Sequence, residues 1–192
     1  TFQLANGTSF TISGSRMVLA GGLTVNNAAD NNLTISTSLS DDGTVESALT
    51  KTGAGTLTLG GTNNTTTGGG TGTGLNTIEV TGGALSAGTD ASLGTGTVTL
   101  NGGKLIVTGN QTYDNNIDLA GAGELQSLTN SESLQPRLSG IISGVGNLTT
   151  SGSGTITLSG NNTYTGTTTL NSVVGVDHAN GLGSDAAGTT VN

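Results

Sequence analysis

Short runs in which apolar and polar residues alternate strictly recur along the whole chain, and this alternation restricts its fold more than any other feature. Side chains that alternate with a period of two point to opposite faces of a β-strand. Each run therefore predicts a strand with Leu, Ile or Val on one face and mostly Thr on the other. Gly or Asn closes the runs, as turns require, and helical apolar spacing is missing. The sequence predicts an all-β fold that includes ten such strands: SFTIS (9–13), GLTVN (22–26), NLTIS (32–36), GTLTL (55–59), NTIEV (76–80), GTVTL (96–100), GKLIV (103–107), NNIDL (115–119), NLTTS (147–151) and GTITL (154–158).

One of these runs belongs to a longer phrase that occurs twice. LTKTGAGTLTLGGTNN (49–64) returns as LTTSGSGTITLSGNNT (148–163). We expect the leucines of GTLTL, Leu57 and Leu59, to face a core and its threonines to face outward. The paired asparagines near the end of each copy, Asn63–Asn64 and Asn161–Asn162, suit amide ladders that satisfy turn backbone between coils.

A repeat with turns of unequal length is typical of solenoids and propellers. Propeller blades usually carry aromatic signatures, whereas this chain has two Phe, two Tyr and no Trp. In a parallel β-helix each coil of about 20 to 25 residues adds two or three short strands to those of the previous coil. The sequence therefore predicts a parallel β-helix, or β-solenoid, of about eight or nine coils. We expect a single segment over residues 1–192, with repeat-like phrases at 39–107 and 138–192, that is part of a longer chain.

Charge and cysteine content exclude several classes of function. Only 8% of the residues are charged, the net charge is −8, and the four cations are dispersed: Arg16, Lys51, Lys104 and Arg137. Nucleic-acid binding requires clustered cations, so the sequence predicts no such partner. The chain has no Cys, which excludes disulfides, thiolate zinc sites and cysteine nucleophiles.

The repeated phrase, the related segment ISGVGNLTTSGSGTITLSGNNTYTGTTTL (142–170) and the element SLGTGTVTLNGGKL (92–105) resemble the passenger-associated repeats of bacterial autotransporter proteins. The resemblance implies a right-handed parallel β-helical passenger, exported by type V secretion through an outer-membrane translocator barrel that lies outside this chain. It also implies that the repeats build a stalk, while specific functions lie in inserted loops or a distal domain. GGTNNTTTGGGTGTGLN (60–76) departs from the repeat by an uncharged insertion, which we expect to form an extended loop.

Catalytic candidates are few. The single histidine, His178, follows Asp177 in VGVDHANG, but neighbouring residues of a strand point to opposite faces and no nucleophile-elbow motif occurs. Glycan-cleaving β-helices gather several carboxylates in one groove, whereas the twelve acids here are dispersed, mostly in turns: for example Asp41, Asp42, Asp114, Asp118, Asp177 and Asp185. A carbohydrate-active enzyme is therefore a hypothesis of second rank.

Metal binding and ice binding are weaker hypotheses. Isolated calcium sites are conceivable at AADNN (28–32) and YDNNID (113–118), although such segments usually form Asx turns. The pairs Thr56/Thr58, Thr97/Thr99 and Thr155/Thr157 could line one flat face, as in an ice-binding solenoid, but they recur too rarely for a regular lattice. Tyr113 and Tyr164 suit turn packing.

The sequence thus predicts no catalytic, cofactor-binding or metal site. It predicts a non-enzymatic extracellular structural or adhesive β-helix at the bacterial cell surface. The expected partners are a host-cell, glycan or matrix surface, or other copies of the chain, including copies stacked end to end.

Overall fold

The computed structural model describes residues 2–3, 7–41, 47–61, 75–129 and 135–192. Over these ranges the backbone forms 22 short β-strands and one 3₁₀ helix, Asp90–Leu93, and the strand pairs formed within them are all parallel. Successive coils stack their strands, so the predicted all-β solenoid is confirmed. In the same ranges no helix is long and apolar enough to cross a membrane.

Each coil has three sides, which follow one another along the chain. The first side is a seven-stranded sheet of β1 (Phe2–Gln3), β4 (Leu23–Asn26), β7 (Ser47–Thr52), β9 (Leu75–Val80), β11 (Thr97–Leu100), β14 (Ile117–Leu119) and β17 (Ile142–Gly144). The second side is a nine-stranded sheet of β2 (Ser9–Ile12), β5 (Asn32–Ile35), β8 (Thr56–Leu59), β10 (Ala84–Ala87), β12 (Lys104–Val107), β15 (Gly123–Ser127), β18 (Leu148–Ser151), β20 (Thr168–Leu170) and β22 (Thr189–Val191).

The third side is less regular. It begins with a two-stranded sheet, continues through the 3₁₀ helix and ends with a four-stranded sheet. In chain order its strands are β3 (Arg16–Leu19), β6 (Ser38–Asp41), β13 (Thr112–Tyr113), β16 (Arg137–Leu138), β19 (Ile156–Leu158) and β21 (Val174–Val176).

The number of regular coils is slightly lower than predicted. Seven coils of the described chain contribute a strand to both the first and the second side, and two more contribute a strand to the second side but not to the first. In those last coils the first side continues as irregular backbone that is still hydrogen-bonded to the coil before it. The Thr163 N–H donates to Ile142 O at 2.8 Å, and the Ser184 N–H donates to Tyr164 O at 3.0 Å. Most of the segment with the predicted insertion (60–76), including Asn63–Asn64, falls on residues 62–74, outside the described residues.

Alternation builds the core as the sequence predicts. All ten predicted runs form strands, and Leu57 and Leu59 are fully buried while Thr56 and Thr58 face outward. On the second side, residues at equivalent positions stack in register into a ladder that includes Leu33, Leu57 and Leu85, each 0% exposed. Such continuous ladders remove apolar side chains from water in every coil, which is the main stabilising term of the fold.

Corner side chains connect successive coils. Asn162 accepts a hydrogen bond from the Ile142 N–H at 2.8 Å and donates one to Gly181 O at 2.7 Å, so one amide joins the coil before it to the coil after it. The Asn161 Oδ1 atom accepts from Asn180 Nδ2 at 2.8 Å. The predicted amide bridges at Asn161–Asn162 are therefore confirmed.

Both tyrosines are buried in the core of the solenoid, whereas the sequence predicted that they pack in turns. The Tyr113 hydroxyl lies 3.0 Å from Ala87 O and from Thr108 O, and the Tyr164 hydroxyl lies 2.7 Å from Thr168 Oγ1. Burial raises the pKa of both phenols.

The two copies of the repeated phrase occupy different sides of the solenoid. In the first copy LTKT lies in β7 on the first side and TLTL forms β8 on the second side. In the second copy LTTS forms β18 on the second side and ITL forms β19 on the third side. The phrase therefore specifies two strands and the corner between them, and it does not specify which corner of the coil they form.

Candidate interaction surface

The outward face of the second side presents two ranks of side chains, one residue per strand in each. The strand register defines both ranks, because every second residue points away from the core. The first rank consists of Ser9, Asn32, Thr56, Ala84, Lys104, Glu124, Thr149, Thr169 and Thr190. The second rank consists of Thr11, Thr34, Thr58, Ser86, Ile106, Gln126 and Ser151.

Most of these side chains carry a hydroxyl or amide group, and the charges are confined to the centre. Of the residues in the nine strands of the second side, all of them described, only Lys104 and Glu124 are charged. They lie in neighbouring strands, with Lys104 Nζ 2.9 Å from Glu124 Oε1 and side-chain exposures of 28% and 30%. The Ser151 hydroxyl also donates to Glu124 Oε1, which fixes the carboxylate in the face.

A shallow cleft lies beside this ion pair. Its volume is about 240 Å³, and its lining includes Gly83, Gly103 and Gly123, which lie at the start of three successive strands. Lys104 and Glu124 border the cleft.

The outward threonine pairs do not share one face. Thr56 and Thr58 lie on the second side, Thr97 and Thr99 in β11 on the first side, and Thr157 in β19 on the third side. The hypothesis that these pairs form a single ice-binding plane is wrong, because the strands that carry them belong to three different sides of the coil.

The acid and histidine candidates are placed apart. Asp177 forms an ion pair with Arg137, and the His178 Nδ1 atom accepts a hydrogen bond from the Asn180 N–H at 3.0 Å. Asp118 lies in β14 on the first side, whereas Glu124 lies on the second. Among the described residues no three His, Cys, Asp or Glu side chains come together in a group that could hold a metal ion.

The asparagines of the two calcium candidates bind backbone groups of adjacent coils. Asn115 Nδ2 donates to Gly94 O at 3.0 Å and to Gly96 O at 2.8 Å, and Asn116 Oδ1 accepts from the Ile141 N–H at 2.9 Å. In the segment 28–32, Asn31 Oδ1 accepts from the Thr8 N–H at 3.0 Å. These contacts are those of turn-stabilising amides.

One acidic contact perturbs a carboxyl group. The Asp114 N–H donates to Asp90 Oδ1 at 3.0 Å across the third side. Burial raises the pKa of the Asp90 carboxyl, the hydrogen bond opposes this effect, and the nearby Asp114 carboxylate adds to it. The two residues thus form a contact between adjacent coils.

A buried lysine is the feature that the sequence prediction missed. Lys51 stands between Val25 and Val80 in an inward ladder of the first side and is 0% exposed. Its ammonium donates to Thr52 O at 2.7 Å, to Gly53 O at 2.8 Å and, in the next coil, to Gly82 O at 3.1 Å. Burial lowers the pKa of Lys51 to about 8. The sequence did indicate this position, because Lys51 lies two residues after the apolar Leu49 and therefore points to the same, inward face.

Comparison with protein-family models, with curated proteins and with solved structures finds no match for this chain.

Proposed function

We propose that this chain is a non-enzymatic structural segment of an extracellular β-helix of the autotransporter-passenger type. In this role it forms part of a stalk or surface fibre on a bacterial cell and takes part in adhesion, aggregation or biofilm formation. Its partners are a host-cell, glycan or matrix surface, or other copies of the chain. The repeated phrase and its resemblance to passenger repeats support the type of protein.

The observation that carries the proposal is the continuous second side. Nine stacked strands at about 4.8 Å per strand give a rod close to 40 Å long. Apolar ladders fill its interior, and uncharged hydroxyl and amide groups cover most of its outer face. Strands of successive coils pair directly in the described part of the chain, so the same local packing extends along the axis and gives a rod. A rod with repeated weak contacts suits polyvalent adhesion, in which many contacts act together.

Surface display tests this proposal. Residues 1–192 are fused to an unrelated outer-membrane anchor in a non-adherent bacterial strain, and a Gly/Ser segment of equal length on the same anchor is the control. We expect greater retention under flow on glycan-coated or matrix-coated surfaces, and faster settling of the cells. Retention and settling equal to those of the control would overturn the adhesive role.

A separate assay tests the non-enzymatic part. The purified chain is incubated with neutral and anionic polysaccharides, and reducing ends and unsaturated products are measured. We expect no release above a heat-inactivated sample. Release that depends on a carboxylate such as Asp118 or Glu124 would favour a glycan-cleaving enzyme instead.

A further inference from the structure

We propose that the second side is a self-recognition surface, through which two copies of this chain bind face to face with their solenoid axes antiparallel. The inference rests on the proposed function, because it names a second copy as the partner of the adhesive surface. It depends on the central ion pair and on the order of the residues in the first rank.

The charges on this face are complementary to themselves. A two-fold axis parallel to the strands reverses the order of the strands and keeps each rank opposite its own kind. When this axis passes between β12 and β15, Lys104 of each copy lies opposite Glu124 of the other. Two intermolecular ion pairs then join the two internal ones into a ring of alternating charges.

The flanking residues fit the same arrangement. Strand β10 lies opposite β18, so that Ser86 meets Ser151, and β8 lies opposite β20, so that Thr56 meets Thr169. Strand β5 lies opposite β22, so that Asn32 meets Thr190. All of these residues are uncharged, so no like charges oppose one another, and their hydroxyl and amide groups can donate and accept across the interface.

Different arrangements of the two faces are less favourable. An axis shifted onto β12 places Lys104 opposite Lys104 of the second copy, and an axis on β15 opposes the two Glu124 carboxylates. A parallel arrangement places Lys104 opposite Ile106, which desolvates the ammonium without a partner. The charges therefore select one register and one direction.

The first side lacks this property. Its outward rank, in register from β4 to β17, consists of Thr24, Thr50, Glu79, Thr99, Asp118 and Ser143. This rank carries two carboxylates and no cation, so two copies of it repel each other. The contrast singles out the second side as the surface that recognises itself.

The size of the face indicates a weak complex. A face close to 40 Å long and two ranks wide buries on the order of 400 Å² per copy, which is below the ~800 Å² per partner of stable complexes. We therefore expect association in the high micromolar to millimolar range for free chains. Many copies on apposed surfaces would bind more strongly through avidity.

Charge reversal tests the arrangement by sedimentation velocity over a wide range of concentrations. Lys104→Glu and Glu124→Lys each convert the attractive contacts to repulsive ones, so we expect each variant alone to self-associate at least about tenfold more weakly than the wild type. An equimolar mixture of the two variants restores opposite charges across the interface. We expect this mixture, and the double variant that carries both reversals, to associate at least as strongly as the wild type.

Matched controls change the net charge equally on the other two sides. Arg137→Glu breaks the ion pair of the third side, and Glu79→Lys reverses a charge on the first side. We expect both to self-associate as the wild type does, and circular dichroism verifies the fold of every variant.

Three results would overturn the inference: a wild-type chain that stays monomeric up to millimolar concentration, single reversals that do not weaken association, or a mixture that does not recover it. The display assay separates a failure of this inference from a failure of the proposed function. A displayed Lys104→Glu variant that loses cell settling but still binds matrix or glycan supports both proposals. Matrix binding with a monomeric wild-type chain refutes only self-recognition.

Discussion

The buried ammonium of Lys51 makes the stability of the solenoid depend on pH in a defined direction. Burial lowers the folded-state pKa from its ordinary value of 10.5 to about 8. Between these two values the unfolded chain binds more protons than the folded chain, so the free energy of unfolding rises with pH across this window. A shift of this size corresponds to about 3 kcal/mol over the whole window, and to about 2 kcal/mol between about pH 7.5 and about pH 9.5.

Urea unfolding followed by far-ultraviolet circular dichroism measures this rise. The series stops at about pH 9.5 because Tyr113 and Tyr164, whose pKa values are raised by burial, reduce stability at higher pH. Lys51→Met keeps an unbranched side chain about as long as the alkyl part of lysine and removes the titrating group, so we expect its stability to lack the rise. Lys104→Met on the outer face is the control and retains it. A Lys51→Met curve parallel to that of the wild type would refute the reasoning.

Four further substitutions test the packing, each by urea unfolding. A Cβ on Gly96 would clash with the backbone oxygen of Asn76, so Gly96→Ala should destabilise the fold by at least about 2 kcal/mol. Gly88→Ala, with no atom within 4 Å of the added Cβ, should change stability by less than about 0.5 kcal/mol. Asn162→Ala leaves a donor and an acceptor of two coils without their partner, and should cost about 2 to 4 kcal/mol. Tyr164→Phe removes the contact with Thr168 Oγ1, should cost about 1 kcal/mol, and should weaken the loss of stability above about pH 10. Equal effects of Gly96→Ala and Gly88→Ala, a neutral Asn162→Ala, or an unchanged alkaline profile for Tyr164→Phe would contradict these expectations.

The strands were predictable because alternation is a local property. A run such as GTLTL specifies its own inward and outward residues, so Leu57 and Thr58 needed no information on their neighbours in space. Several strands of the third side, such as β13 with two residues, are too short to show a period and were not predicted. The inward position of Lys51 followed from the same alternation, but its carbonyl partners did not, because Gly82 belongs to the next coil.

The interaction surface could not be predicted, because it depends on which residues of different coils share a register. Ala84 lies beside Thr56 in one direction and Lys104 in the other, 28 and 20 residues away along the chain. Unequal spacing of this kind hides the pairing of Lys104 with Glu124 from any fixed period. The repeated phrase hides it further, since its two copies lie on different sides of the coil.

The repeated phrase can occupy different sides of the coil, and this explains at which positions specificity can arise. A strand on any side needs the same alternation of Leu or Ile with Thr, so selection for folding alone leaves the outward positions interchangeable. A charged pair in an otherwise uncharged rank is not required by the strand pattern, and most strands of the second side have Ser, Thr or Asn in the same rank. Lys104 and Glu124 gain little from each other as a surface ion pair, because exposed pairs contribute about 0 to 1 kcal/mol. Their placement in adjacent strands sets a direction and a register for a partner, and this argues for recognition more than for stability.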